Sequence, residues 1–131
     1  MAYHVADASK LEWEDRPPAA EGQRPRRAAD VTTAAGLKHS RGRVWRYPPG
    51  TRGRRHADKA QEEVFVVISG KLTMLLGDPH ERIDVGPEGV VAVEPGTPLQ
   101  VRNESDEELV LFIYGAPPEQ EGADFFDDVV L

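Results

Sequence analysis

From residue 42 onward the chain alternates short apolar or β-branched runs with tight clusters of glycine, proline, asparagine and aspartate. Arg43-Val44-Trp45-Arg46-Tyr47 stops at Pro48-Pro49-Gly50. Residues 64–68 are a continuous apolar run bounded by Ser69-Gly70-Lys71, and residues 72–76 follow as far as Gly77-Asp78-Pro79. Further runs of this kind occupy residues 82–85, 90–93, 99–102 and 109–114, separated by Gly86-Pro87-Glu88-Gly89, Pro95-Gly96-Thr97-Pro98 and Asn103-Glu104-Ser105-Asp106. Branched and aromatic side chains suit a pleated, half-buried surface, and the Gly/Pro clusters end it. Ser69-Gly70, between two such runs, predicts a hairpin. Short strands recurring about every ten residues, without a long helix, predict an all-β sandwich or barrel.

The flanks read differently. Residues 1–36 carry no apolar periodicity, and residues 16–27 hold three prolines, a glycine and four arginines, so an N-terminal arm is expected there. Trp13 is its one large aromatic up to residue 36 apart from Tyr3, and it predicts that the arm packs on the barrel or on a partner subunit. Residues 30–36 fit either a helical turn or a loop ended by Gly36. The expected organisation is an arm over 1–36, a barrel over 37–118 and a C-terminal tail over 119–131. The tail is acidic, but its final stretch from Phe125 to Leu131 is apolar enough to dock.

At 131 residues the chain has the length of one domain. It contains no cysteine, which excludes a disulfide scaffold, a thiolate metal site and a cysteine nucleophile. Its beginning, MAYHVADASK, lacks the apolar core of a secretory signal, and no apolar run approaches the roughly 18 residues that span a bilayer. A cytoplasmic protein without a membrane partner is expected. The net charge of −7 is unevenly spread: residues 1–57 carry 12 Lys/Arg and 6 Asp/Glu, residues 58–131 carry 4 and 17. A net acidic domain whose basic cluster lacks interleaved aromatics is not expected to bind nucleic acid.

The chemistry concentrates between Gly50 and Gly70. If His56 and Asp58 share an extended strand, their spacing of two turns both side chains to one face. Glu63 opens the next strand and can reach back to that face after the turn at residues 59–61. Three nitrogen or oxygen donors then converge at one end of a barrel lumen. A salt-bridged histidine at the barrel mouth is the competing structural reading. Phe65, Val67, Met74, Leu99, Val101 and Asn103, with Arg46, are expected to line the lumen. Arg46 and the set Arg52, Arg54 and Arg55 offer guanidinium forks to an anionic substrate, or to the acidic second half of the chain. His4, His39 and His80 lie outside this constellation and are expected on the surface. No G-x-S-x-G, H-E-x-x-H or phosphate-binding glycine loop is present.

Gly50, His56, Asp58, Glu63 and Gly70 follow the spacing of the first cupin motif, G-x5-H-x-H-x4-E-x6-G, with Asp58 at the second histidine. Residues 89–103 resemble the second motif, G-x5-P-x-G-x2-H-x3-N: Gly96, Pro98 and Asn103 fit, Pro95 directly precedes Gly96, one residue short of the pattern, and Leu99 stands at the histidine. Over about residues 42–115 the chain therefore resembles the cupin superfamily. The resemblance implies a double-stranded β-helix, or jelly-roll barrel, and commonly a homodimer. It also implies a metal site of three histidines and one glutamate, of which His56 and Glu63 remain. One histidine and two carboxylates suit a hard ion such as Mn(II) better than copper.

Two functions compete on these grounds, beside a third in which the barrel serves mainly as an assembly module with the Trp13 arm exchanged between protomers. The first is a barrel that binds a small molecule in its lumen, with a degenerate or absent metal site and no assigned catalysis. The alternative is a metal-dependent enzyme, of isomerase or dioxygenase type, using His56, Asp58 and Glu63. One divalent metal (Mn, Fe or Zn) and no metal are equally expected.

Overall fold

The computed structural model describes residues 2–18 and 21–129. Among the described residues eleven strands lie in two antiparallel sheets. β1 (Trp13–Arg16), β2 (Arg26–Asp30), β3 (Arg41–Tyr47), β5 (Glu62–Ser69), β8 (Val90–Val93) and β10 (Leu109–Ala116) make the first, in the order β1-β2-β3-β10-β5-β8. β4 (His56–Ala57), β6 (Leu72–Leu76), β7 (Glu81–Val85), β9 (Leu99–Arg102) and β11 (Asp124–Phe125) make the second, in the order β11-β4-β9-β6-β7. Neighbours far apart in sequence, such as β3 beside β10, give the jelly-roll arrangement expected of a double-stranded β-helix. Among the described residues no helix is long and apolar enough to cross a membrane.

Alternation along each strand decides the core. From β3 comes Tyr47, from β5 Phe65 and Val67, from β8 Val91 and Val93, and from β10 Leu109 and Leu111; they meet Leu72, Met74, Leu99 and Val101 of the second sheet. All are buried. The opposite face of the first sheet leaves Ile68, Val90 and Tyr114 exposed.

The N-terminal arm is more ordered than its composition predicts. β1 and β2 form a hairpin that extends the first sheet, with β2 on β3 pairing Ala28 with Trp45 and Ala29 with Val44. The strands are hard to read because their buried anchors are small: Ala28 and Ala29 are fully covered, while arginines and acids occupy most other positions. Backbone pairing with an established strand, rather than an apolar stripe, holds them. Trp13 fixes the hairpin from the outside, its Nε1 donating to the carbonyl of Ala8 and its ring lying 4.4 Å from the Arg46 guanidinium. After β2, residues Val31–Ala34 form the single turn α1, capped by Asp30, whose carboxylate accepts from the Thr33 amide.

The β5–β6 hairpin turns at Gly70, which has φ +83° and packs directly on the backbone of Glu108 and Leu109. An added Cβ would collide with the Glu108 carbonyl oxygen. Gly70→Ala combines a left-handed backbone with that overlap and is expected to cost roughly 2–4 kcal/mol. Guanidinium denaturation of the two proteins checks this, and equal midpoints would mean that the turn carries no such constraint.

Candidate functional site

β4 is only two residues long, yet it sets the site. It pairs with β9, His56 lying opposite Leu99, so the imidazole stands beside an aliphatic side chain on the inner face. The chain then turns through residues 58–61, anchored where the Gly96 amide donates to the Asp58 carbonyl. It re-enters as β5, which carries Glu63 on its inward side with Phe65 and Val67. The structure thus brings His56, Asp58 and Glu63 together: one ligand atom from each lies within 4.8 Å of the others. Nε2 of His56 is 3.4 Å from a Glu63 oxygen and 3.9 Å from an Asp58 oxygen. Their side chains are 22, 4 and 12% exposed for His56, Asp58 and Glu63.

Two contacts behind this cluster fix its geometry. Nδ1 of His56 lies 3.1 Å from the Arg54 carbonyl and donates to it, which leaves Nε2 facing the carboxylates. The fully buried Gln61 donates to Asp58 at 3.1 Å and accepts from Nε of Arg41 at 2.8 Å. Gly115 makes room for that amide, because a Cβ there would overlap the Gln61 side chain. Gln61 escapes a reading of the sequence, where it is one polar residue of a turn; its role comes from β10 bringing Gly115 beside it.

The titration of the cluster follows from this packing. Burial opposes the charging of His56, but the Glu63 hydrogen bond, the Glu63 charge, the Arg54 carbonyl and the Asp58 charge together outweigh it and raise its pKa. Asp58 is also raised, first by burial and then by the Glu63 charge, against the lowering effect of Gln61. His56 and Asp58 thus hold their protons more firmly than the free groups would.

The cluster sits in a cavity of about 400 Å³ between the sheets. Phe65, Leu99, Val101 and Ile113 supply apolar wall. The mouth is rimmed by the C-terminal tail. Glu119 accepts from the amides of Lys59 and Ala60, β11 pairs Phe125 with His56, and the Phe126 amide donates to the Arg55 carbonyl. Phe125 and Phe126 remain about half exposed. Val130 and Leu131, expected to dock with them, lie outside the described residues.

Four expected lining residues are elsewhere. Val67 and Met74 are inside the packed core, away from the cavity. Asn103 is buried at a corner, donating to the carbonyls of Tyr47 and Glu107 and accepting from Ser105, so it closes a turn. Arg46 points to the other face of β3, against Trp13, because it alternates with Trp45 and Tyr47. Of the other arginines singled out, Arg52 pairs with Asp128 at 2.6 Å, Arg55 reaches the carbonyls of Gly77 and Asp127, and Arg54 alone lines the cavity. Arg26, Arg41, Arg43, Trp45 and Tyr47 line it too. Strand alternation along β3 was the signal available for the last four. His4, His39 and His80 are exposed.

A family model described as a cupin domain matches residues 43–114. The structure is similar to a provisional sugar phosphate isomerase from Acidithiobacillus ferrooxidans, at 23% identity and a TM-score of 0.64, over 70% of this chain and 59% of that one. The chain thus spans less than two thirds of that protein. It is similar to the polyketide cyclase RemF from Streptomyces resistomycificus, at 17% identity and a TM-score of 0.77, over 95% of this chain and 86% of that one. It is also similar to a predicted oxalate decarboxylase from Thermotoga maritima, at 16% identity and a TM-score of 0.73, over 86% of this chain and 98% of that one. No curated protein matches the chain significantly.

The raised pKa of Asp58 has a measurable consequence. A carboxyl whose pKa is higher in the folded state than its ordinary 3.8 favours folding below that value, and this contribution is lost as pH rises through the folded pKa. Asp58→Asn removes the group, so in chelator-treated protein the variant is expected to gain stability relative to the wild type between about pH 3.5 and about pH 7. Melting temperatures at both pH values test it, and a constant difference would contradict the assigned shift.

Proposed function

This chain belongs to the cupin domain family, and from that premise we propose that it binds a small molecule in its lumen, between an apolar wall and the polar end formed by His56, Asp58 and Glu63. The observation that carries this reading is the convergence of three donors in a cavity whose apolar wall includes Phe65, Leu99, Val101 and Ile113. A concave space with an apolar wall and a few converging polar groups is the usual form of a small-ligand site. No reaction is assigned. At 16–23% identity, the isomerase, cyclase and decarboxylase likenesses carry the fold, and one fold serves many chemistries.

One observation favours a second reading, a metal-dependent enzyme of isomerase or dioxygenase type. The three donors are close enough to share an ion, and the Arg54 carbonyl leaves Nε2 of His56 turned toward the two carboxylates. The set fits one hard divalent ion, Mn(II) or after it Fe or Zn, with remaining positions open to water or ligand oxygens. Leu99 offers hydrocarbon where the family motif has histidine. Bound there, the ion would supply Lewis acidity toward a substrate oxygen. His56, Asp58 and Glu63 would hold it, Gln61 would orient Asp58, and the apolar wall would exclude water.

Elemental analysis of protein purified without a metal-affinity tag separates the two readings. Under the enzyme reading about one equivalent of Mn, Fe or Zn is expected, lost in His56→Ala; below about a tenth of an equivalent that reading falls. Lumen binding is tested by thermal shift against small carboxylates, phosphates and neutral sugars. At least one compound is expected to raise the melting temperature of the wild type and not of Ile113→Trp, which fills the cavity. A panel without effect on the wild type would sink the proposal.

A further inference from the structure

The cavity has a second pole. Arg26, Arg41, Arg43 and Arg54 all line it, around the faces of Trp45 and Tyr47. Arg41 and Arg43 face inward because they share the β3 face of Trp45 and Tyr47. Arg26 reaches in from β2, its guanidinium 5.2 Å from the Trp45 ring and 5.5 Å from that of Tyr47, with Nη1 donating to the Tyr47 hydroxyl at 3.3 Å. Arg54 enters from the mouth, 3.8 Å from the Phe125 ring.

Arg26, Arg41 and Arg43 are partly buried, and Arg54 is exposed at the mouth. Arg52 and Arg82 each hold a carboxylate at 2.6 Å. Among the described residues, no carboxylate lies within ion-pair distance of Arg26, Arg41, Arg43 or Arg54. Nε of Arg26 and Nε of Arg43 are buried with no hydrogen-bond partner, as are those of Arg16 and Arg46 outside the cavity. Burial, and then the charges of Arg16 and Arg41, hold Arg43 below the ordinary guanidinium pKa against the opposing charges of Asp30 and Glu14. The three carboxylates of the cavity are engaged elsewhere, Asp58 and Glu63 with His56 and Gln61, and Glu119 with the amides of Lys59 and Ala60. Gathered, half-desolvated cations with unmet donors cost stability unless an anion meets them.

We propose that this arginine wall is an oxyanion subsite, taking a carboxylate or phosphate of a small ligand whose other end reaches His56, Asp58 and Glu63. It deepens the lumen-binding reading and rests on it. Guanidinium forks match the planar or tetrahedral oxygens of such groups, and Trp45 offers a flat face beside them. Gln61 joins the two poles, hydrogen-bonded to Arg41 on one side and Asp58 on the other. A ligand that spans them therefore needs only a few bonds between its anionic and its polar end. This charge arrangement selects small acids and phosphate esters over neutral molecules of the same shape.

Isothermal titration of chelator-treated full-length protein with succinate, citrate and inorganic phosphate, against neutral succinamide, tests the subsite. At least one anion is expected to bind saturably with a dissociation constant below about 1 mM, weakening as ionic strength rises, while succinamide binds at least tenfold more weakly. Arg43→Gln is expected to weaken the anion about tenfold or more and to raise the melting temperature, since it removes a partly buried, unpaired cation; Arg41→Gln should weaken it similarly. Succinamide binding as tightly as succinate would overturn the oxyanion subsite and leave the lumen reading standing. Binding of neither the anions nor the neutral panel described above would overturn both. Undiminished anion binding in both arginine variants would place the anion elsewhere and overturn the subsite.

Discussion

β10 is paired along nearly its whole length on both sides, to β3 and to β5, and this double ladder decides which side chains the cavity receives. Because side chains alternate, slipping either neighbour by one residue would turn Arg41, Arg43 and Trp45, or Glu63 and Phe65, outward. The apolar members resist that slip: Leu109 and Leu111 are fully buried between Tyr47, Phe65 and Val67. The polar end of the pocket is thus held in place by the hydrophobic end. The same strand supplies Gly115, without which Gln61 could not lie between Arg41 and Asp58.

A folded chain gains little by gathering partly buried arginines at one pole and two adjacent carboxylates at the other. Each group gives up hydration, and within each pole the charges repel. The offset comes from the apolar floor and from specific hydrogen bonds, such as Arg26 to Tyr47 and Gln61 to Asp58.

The central strands were legible because period-two runs of branched residues and Gly/Pro turns both favour the same elements. The triad was legible because its spacing, two residues and then five, crosses one short strand and one turn, so local geometry suffices. The N-terminal hairpin was not, since its burial rests on Ala28 and Ala29 and its pairing on a partner already formed. Arg46 was assigned to the lumen although Trp45 and Tyr47 flank it; only one parity of β3 can face inward, and the bulky aromatics take it. Asn103 carries a motif position yet serves the chain corner. Arg26 and Gln61 depend on contacts between segments distant in sequence, which no local pattern encodes.

The tail that rims the mouth is fastened lightly. β11 contributes two residues of pairing, one of them to His56 itself, with help from Asp128, which accepts from Gln100 and Arg52. The core beneath it is closed by ladders of four to seven residues. Segments with few buried contacts open at a small fraction of the free energy of global unfolding. Residues 124–128 at the cavity mouth can therefore open while the barrel stays shut, so the exposure of the cavity to solvent is governed by this short segment and not by the frame that shapes it.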